Sequence, residues 1–299
     1  MASSVQAHML DAGPLRRRIY EWGLRIGHSV NVGRLDGKPV PLRHRLLFPL
    51  AEAVVLRPLR DQLGLTRVRI AACGGATMAP DVFRMFHAIG VPLRNIYGST
   101  ETGLLTCHQG ERFDLETVGR WMESLPALNA PLQWRVSEVG ELQVRGGSPF
   151  LGYYRREGSV ESKLQDGWFQ TGDAVTKTER GELVFLERLS DLKRLRSGES
   201  FPPQFVETRL RFSPFIKDIM TVGDETLDFV AALINIDFDV VSRWAEDKRV
   251  GFSTFTDLSQ KPEVAELLRA EIQRVNGFLP THARVVRFAN FPKELDPDE

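Results

Sequence analysis

Seven consecutive residues, Tyr97-Gly98-Ser99-Thr100-Glu101-Thr102-Gly103, put an aromatic ring, two glycines, three hydroxyls and a carboxylate in one short stretch. Glycines let backbone approach a ligand closely, hydroxyls donate to phosphate oxygens, and a carboxylate beside them can hold a hard cation such as magnesium. On residue chemistry alone the stretch is equally a polar turn after a strand. Further along, Asp166-Gly167-Trp168-Phe169-Gln170-Thr171-Gly172-Asp173 reads as a turn, a strand and a carboxylate. Asp173 is either an ordinary turn residue or an acceptor for a vicinal diol such as a ribose. Arg188 and Asp191 fall in a charged, proline-free stretch, where they either pair across an exposed turn, a contact worth little, or serve a ligand.

The elements that position these residues follow from apolar spacing. Leu15, Ile19, Trp22 and Ile26 recur at helical intervals, predicting an amphipathic helix over residues 14–28. Residues 29–45 are basic and carry Pro39 and Pro41, which reads as a loop; residues 46–63 read as a second helix closed by Gly64. A short strand over residues 68–73 runs into Gly74-Gly75-Ala76. Pro80 and Asp81 then open a helix through Ala88, and residues 91–97 form the next strand. Strand, glycine turn, helix, strand is the rhythm of a parallel sheet, whose ligands lie at the carboxyl ends of the strands. Gly74-Gly75-Ala76 and residues 97–103 share that edge.

From Val118 the pattern changes to short strands at residues 133–136, 141–145, 168–170 and 183–186, a β-rich subdomain over about 118–187. Residues 187–198 mark a domain boundary. Beyond it, helices at 204–212, 237–248 and 262–275 and strands at 216–222, 229–236 and 283–288 make a small α+β domain over 191–299.

Composition narrows the function classes. The 299 residues are 42% hydrophobic, enough for a sizeable core, and 39 basic against 39 acidic residues leave no net field for nucleic acid. Two cysteines, Cys73 and Cys107, are too few for a disulfide framework and suit a reducing cytosol. The sequence has no apolar run of membrane-spanning length and no signal-peptide pattern at its start. The expected localisation is therefore cytoplasmic, with peripheral membrane contact and oligomeric state left open.

In this order and spacing, Gly74-Gly75-Ala76, residues 97–103, Gly140-Glu141-Leu142-Gln143-Val144-Arg145-Gly146, residues 167–173 and Arg188-x-x-Asp191 resemble the adenylate-forming (AMP-binding) superfamily. The resemblance runs from about Leu46 to Phe291. Residues 195–207 and 212–218 look most like the long-chain fatty acyl-CoA synthetases. It implies an α/β fold: part of a large adenylation domain over 1–190, with a parallel α/β sheet and the β-rich subdomain, followed by a small mobile C-terminal domain over 191–299. It implies a ligase that activates a fatty acid or other carboxylate with ATP and Mg2+ to an acyl adenylate and passes it to CoA. A carrier-protein thiol as acceptor, or a non-catalytic nucleotide- or partner-binding protein, are the alternatives.

The resemblance also assigns roles. Tyr97 would stack on adenine, with Gly75, Ala76, Thr77, Asn95 and Gly98 lining the nucleotide. Thr100 would meet the α-phosphate, Glu101 would ligate the metal, Asp173 would bind the ribose hydroxyls and Arg188 would assist at ribose or phosphate. Asp191 would be a hinge, and Gly198 in Ser197-Gly198-Glu199 would line the CoA path. Thr77, often proline in the family, and Cys73, often serine, are mild departures. Larger ones are the absence of a Ser/Thr/Gly-rich phosphate loop and of a C-terminal lysine, since Lys293 in the approach Phe291-Pro292-Lys293-Glu294-Leu295-Asp296-Pro297-Asp298-Glu299 is misplaced for that role. The resemblance therefore implies a partial chain, weak or inactive by itself.

Overall fold

A computed structural model describes residues 12–122, 133–146, 150, 152–155 and 163–295. The tail residues 296–299, within the C-terminal approach discussed above, lie outside the described residues. The chain divides into two units: Ile19–Ser190, and a second containing the residues up to Arg18 and from Asp191 onward.

α1 (Pro14–Gly27), which belongs to the first unit from Ile19 onward, does not stop at residue 28. It continues through a π-helical turn, His28–Val32, and one α turn, Gly33–Leu35, so the loop expected over 29–45 shrinks to residues 36–41. Burial explains this: Val30 and Val32 are inside, Val30 packs with Ile26 and Ala51, and Asn31 Nδ2 donates to the Ala88 carbonyl at 3.2 Å. Gly37, at φ +69°, ends the run. The second helical stretch begins at Leu42, directly after Pro41: α2 (Leu42–Ala51), another π-helical turn (Glu52–Leu56) and α3 (Arg57–Gln62). Gly23 is where the two stretches meet closely; a Cβ there would lie 2.6 Å from Val55 Cβ.

A sheet follows. β1 (Ala71–Cys73) runs into the glycine turn, α4 (Pro80–Ala88) crosses back, and β2 (Leu93–Ser99) pairs parallel to β1, with Cys73 opposite Asn95. The expected βαβ unit is present. Residues 97–103 do not return to a helix, however: β3 (Gly103–Cys107) folds back antiparallel on β2, so the stretch is the tip of a hairpin. β4 (Gly119–Trp121), β5 (Gln133–Val136), β6 (Glu141–Arg145), β7 (Leu164–Gln165), β8 (Trp168–Lys177) and β9 (Glu182–Arg188) complete the sheet. Its order is β1-β2-β3-β4-β9-β8-β6-β5, with β7 on β8, and every pairing after β1–β2 is antiparallel. The α/β part and the β-rich part are thus hydrogen-bonded as one sheet.

Two clusters hold it. Leu105, Trp121, Leu142, Val144, Val175 and Leu183 fill one face, with Tyr97 and Phe185 packed against them. Val32, Leu35, Phe83, Ala88, Leu93, Phe113 and Leu115 join the helices to the parallel end.

The second unit contains a short hairpin, β10 (Lys193–Arg194) with β11 (Ser200–Phe201), then α5 (Pro203–Leu210), β12 (Ile216–Val222) and β13 (Val230–Ile236). α6 (Phe238–Asp247), α7 (Phe255–Ser259), α8 (Pro262–Asn276) and β14 (Val285–Asn290) follow. β12 and β13 are antiparallel, β13 and β14 parallel. The α+β class expected for this portion is what folds.

Candidate nucleotide site

The hairpin tip and the β8–β9 ladder converge because β2 and β9 are brought into one sheet. Asp173 on β8 pairs directly with Arg188 on β9. The Tyr97 hydroxyl, at the end of β2, donates to Asp173 Oδ2, joining residues 76 positions apart. Arg188 Nη1 lies 2.8 Å from Asp173 Oδ1 but aims its N–H at the Thr171 carbonyl, 3.1 Å away. The contact is an ion pair, and Oδ1 is left buried without a hydrogen-bond donor. The guanidinium charge offsets part of the cost of burying that oxygen, which keeps capacity to accept a further hydrogen bond.

The carboxylate is built into place by its neighbours. Thr171 Oγ1 donates to the Leu142 carbonyl at 2.6 Å and accepts from the Asp173 N–H at 3.2 Å. Glu141, itself buried, accepts the Gly172 N–H at 2.9 Å. The ladder shifts register between Ala174 and Val175 and again between Glu141 and Gln143, and these side-chain bonds pin the irregular stretch. Asp173 is 4% exposed, and burial pushes its carboxyl above the usual carboxylate range, opposed by the Tyr97 hydrogen bond and the Arg188 charge. Burial also drives the Tyr97 phenol far above its ordinary value, so it remains a donor. The Tyr97 ring lies 5.7 Å from that of Phe185, tilted by 35°.

The other predicted residues occupy several environments. Gly75, Ala76 and Thr77 follow β1; Gly75 has φ +84° with open space where a Cβ would stand. Gly74 abuts β2: a Cβ would sit 2.5 Å from the Ile96 carbonyl oxygen, so the glycine turn and the hairpin tip are adjacent. Gly98 is required by packing, since a Cβ would fall 2.1 Å from the Gly103 carbonyl oxygen. Thr100 is exposed, with its hydroxyl unbonded among the described residues. Glu101 accepts from the Tyr153 hydroxyl, chiefly this bond holding its carboxyl below the usual range. Asn95 turns its amide to the Thr117 carbonyl at 3.2 Å. Asp191 and Gly198 belong to the second unit; Gly198, at φ +88°, closes the β10–β11 hairpin.

Sequence reasoning missed Thr171, Glu141 and Tyr153 as supporting residues, and His108 entirely. The first two sit inside recognised motifs, where their hydrogen bonds depend on ladder register. His108 is an isolated histidine with no local signal. Its Nδ1 accepts from the Asn95 N–H at 3.1 Å, so Nε2 carries the proton toward the Thr117 carbonyl at 2.9 Å. Stacked on Phe113 at 4.3 Å, it is pushed down to about 4 by burial, and as a neutral ring it clamps β2 two residues before Tyr97.

Among the described residues no group of three or more His, Cys, Asp or Glu side chains is arranged to hold a metal, and no helix is long and apolar enough to cross a membrane.

Residues 40–154 match the AMP-binding enzyme family. The chain is 30% identical over 250 residues to the long-chain-fatty-acid–CoA ligase FadD15 of Mycobacterium bovis, covering 83% of this chain and 40% of that protein. It is 29% identical to long chain acyl-CoA synthetase 1 of Arabidopsis thaliana, over 77% of this chain and 36% of that one. The chain thus spans about 40% of the length of the curated relatives it matches. Among solved structures, the A-PCP didomain of the Segniliparus rugosus carboxylic acid reductase in complex with AMP superposes with a TM-score of 0.57 at 20% identity, over 92% of this chain and 36% of that one. The unliganded o-succinylbenzoate coenzyme A synthetase of Bacillus subtilis gives 0.54, also at 20% identity, over 79% and 48%. The resemblance to adenylate-forming enzymes, acyl-CoA synthetases among them, and the α/β fold class are borne out.

Proposed function

From the match of residues 40–154 to the AMP-binding enzyme family, we propose that this chain binds the adenosine part of ATP at the hairpin tip and serves fatty acid activation. In the reaction, a fatty acid carboxylate oxygen attacks the α-phosphorus of ATP and the bond to pyrophosphate breaks. The CoA thiol, giving up its proton, then attacks the acyl carbonyl and AMP leaves.

The observation that supports this reading is Asp173 Oδ1, a buried acceptor without a donor, on a carboxylate fixed by Tyr97 and bordered by Arg188. A ribose hydroxyl would donate to it. Arg188, 56% exposed, would swing aside to admit the sugar and place its forked donors on ribose or phosphate. The Tyr97 ring, tethered by its hydroxyl, would offer a fixed surface to adenine beside the open backbone at Gly75 and Ala76. The unbonded Thr100 hydroxyl would donate to the α-phosphate. Glu101 is a single ionised carboxylate, which suits magnesium held largely by nucleotide phosphates; the ion would neutralise charge on departing pyrophosphate. Asp191 as hinge and Gly198 beside CoA are roles proposed for the second unit.

Calorimetric titration of the chain with AMP, ATP–magnesium and GMP tests the nucleotide site. Adenine nucleotides should bind and GMP should bind more weakly; no heat with AMP would overturn the site. Palmitate-dependent exchange of pyrophosphate into ATP then tests the activation step separately.

A further inference from the structure

The three-stranded sheet of the second unit has two outer edges, β12 and β14, and their backbone groups are treated differently. A sheet edge templates further pairing unless something covers it. On β12 the outward groups are taken: Glu207 Oε1 accepts the Thr221 N–H at 2.7 Å, Asp218 Oδ1 accepts the Ile219 N–H at 2.8 Å, and Arg211 Nη2 donates to the Ile219 carbonyl at 3.4 Å. On β14 only the ends are taken. The Asn276 side chain bonds the N–H and the C=O of Val285 at 2.9 and 2.8 Å, and Gln260 Nε2 donates to the Asn290 carbonyl at 3.0 Å. The middle is open. In a parallel pair alternate residues bond the neighbouring strand, and the Phe291 N–H goes to the Ile234 carbonyl on β13. Arg287 and Ala289 therefore face β13, while Phe288 turns its N–H and C=O outward.

This open stretch lies in a groove. Asn276 meets the start of β14 and Gln260 its end, so α8 runs antiparallel beside the strand. The space between them, about 470 Å³, has Val286 and Phe288 on one wall and Ala265 and Arg269 on the other. Lys261, Ala265 and Arg269 are spaced by four, which puts them on one face. Lys261, Arg269 and Arg287 line the groove, and no carboxylate does. The first two pair with Asp257 and Glu266. The Arg287 guanidinium lies 4.8 Å from the Phe229 ring and has no carboxylate partner among the described residues.

We propose that this groove receives an extended, acidic segment of a partner protein, which adds an antiparallel strand to β14. In an antiparallel pair two facing residues exchange both of their hydrogen bonds, and the outward N–H and C=O of Phe288 offer that exchange to one residue of a guest. At about 3.3 Å per residue the edge from Val286 to Asn290 is roughly 13 Å long, enough for about five guest residues. Apolar guest side chains would lie on Val286, 65% exposed, and on Phe288, while acidic ones would meet Arg269 and Arg287. A polypeptide backbone carries donor and acceptor at strand spacing; a free phosphate or a lipid headgroup does not. Charge selects against a second copy of this chain, because β14 pairing with β14 would set one Arg287 near the other, and like charges on adjacent strands repel. All the groove residues belong to the second unit, whereas Tyr97, Asp173 and Arg188 belong to the first.

The probe is a fluorescein-labelled, end-capped heptapeptide of alternating glutamate and valine, titrated with the full chain and followed by anisotropy. It should bind, more weakly as salt rises, and hydrogen exchange should slow at residues 286–290. Two control peptides separate backbone from charge. One carries N-methyl groups on its central residues and cannot donate along the strand; the other has lysine in place of glutamate. Each should bind at least tenfold more weakly. Arg287→Glu should weaken the glutamate peptide at least tenfold and strengthen the lysine peptide, with circular dichroism unchanged because Arg287 is exposed. No binding at millimolar peptide, binding of either control as tight as that of the probe, or binding without protection at residues 286–290 overturns the proposal. So does a self-dimer that protects the same residues.

Discussion

Asp173→Asn isolates the feature on which the nucleotide reading depends. The amide is isosteric, so the packing around a residue only 4% exposed is kept. Its NH2 cannot face Arg188 Nη1, 2.8 Å from Oδ1, because both are donors; the amide oxygen takes that position and the NH2 turns to Tyr97, whose hydroxyl can accept. A ribose hydroxyl would still find an oxygen, but a neutral one. Hydrogen bonds to charged groups contribute about 1.5–3 kcal/mol and neutral ones about 0.5–1.5 kcal/mol. The expected loss is therefore about 1–1.5 kcal/mol, or roughly tenfold in affinity for AMP, since 1.4 kcal/mol is a factor of ten. Calorimetry with AMP and with its 2′,3′-dideoxy analogue, on both proteins, makes a double-mutant cycle. The analogue should bind wild type more weakly than AMP does, and the substitution should cost it almost nothing further. An equal loss for both nucleotides, or an analogue that binds wild type as tightly as AMP, would refute the ribose assignment.

Tyr97→Phe removes the donor that opposes the effect of burial on Asp173, so its carboxyl should rise further and the acid limb of AMP binding should move to higher pH, read from titrations across pH. His108, depressed to about 4 from an ordinary 6.5, binds its proton more readily unfolded than folded. Stability present at neutral pH should therefore be lost as pH falls from about 6.5 towards 4, by as much as about 3 kcal/mol, in urea melts followed at each pH, and His108→Asn should flatten that dependence. Gly98→Ala would press a methyl into the backbone at Gly103, and a loss of about 1–3 kcal/mol is expected from the same melts; unchanged stability would mean the hairpin is looser than it stands here.

Much of this protein is legible locally. Helix α4 is bounded by Pro80 at its start and Gly90 beyond its end, β5, β6 and β12 lie where their alternation puts them, and the βαβ unit follows from apolar runs separated by glycine. These features depend on near neighbours in the chain, so composition and spacing determine them. Residues 97–103 and Asp173 stood out in the sequence as an unusual run of residue types, but residue chemistry alone left them equally readable as polar turns. What needed tertiary structure was everything set by distant partners. The helix through residues 28–35 forms because Val30, Val32 and Asn31 are received by Ala51 and Ala88, a contact no window of sequence contains. The hairpin at residues 97–103 depends on β3, a strand whose side chains look unremarkable until β4 and β9 close the sheet beside it. Whether Asp173 meets Tyr97, whether Thr171 and Glu141 hold it, and which of its oxygens lacks a donor are decided by register, since a one-residue slip would turn each of these side chains to the opposite face.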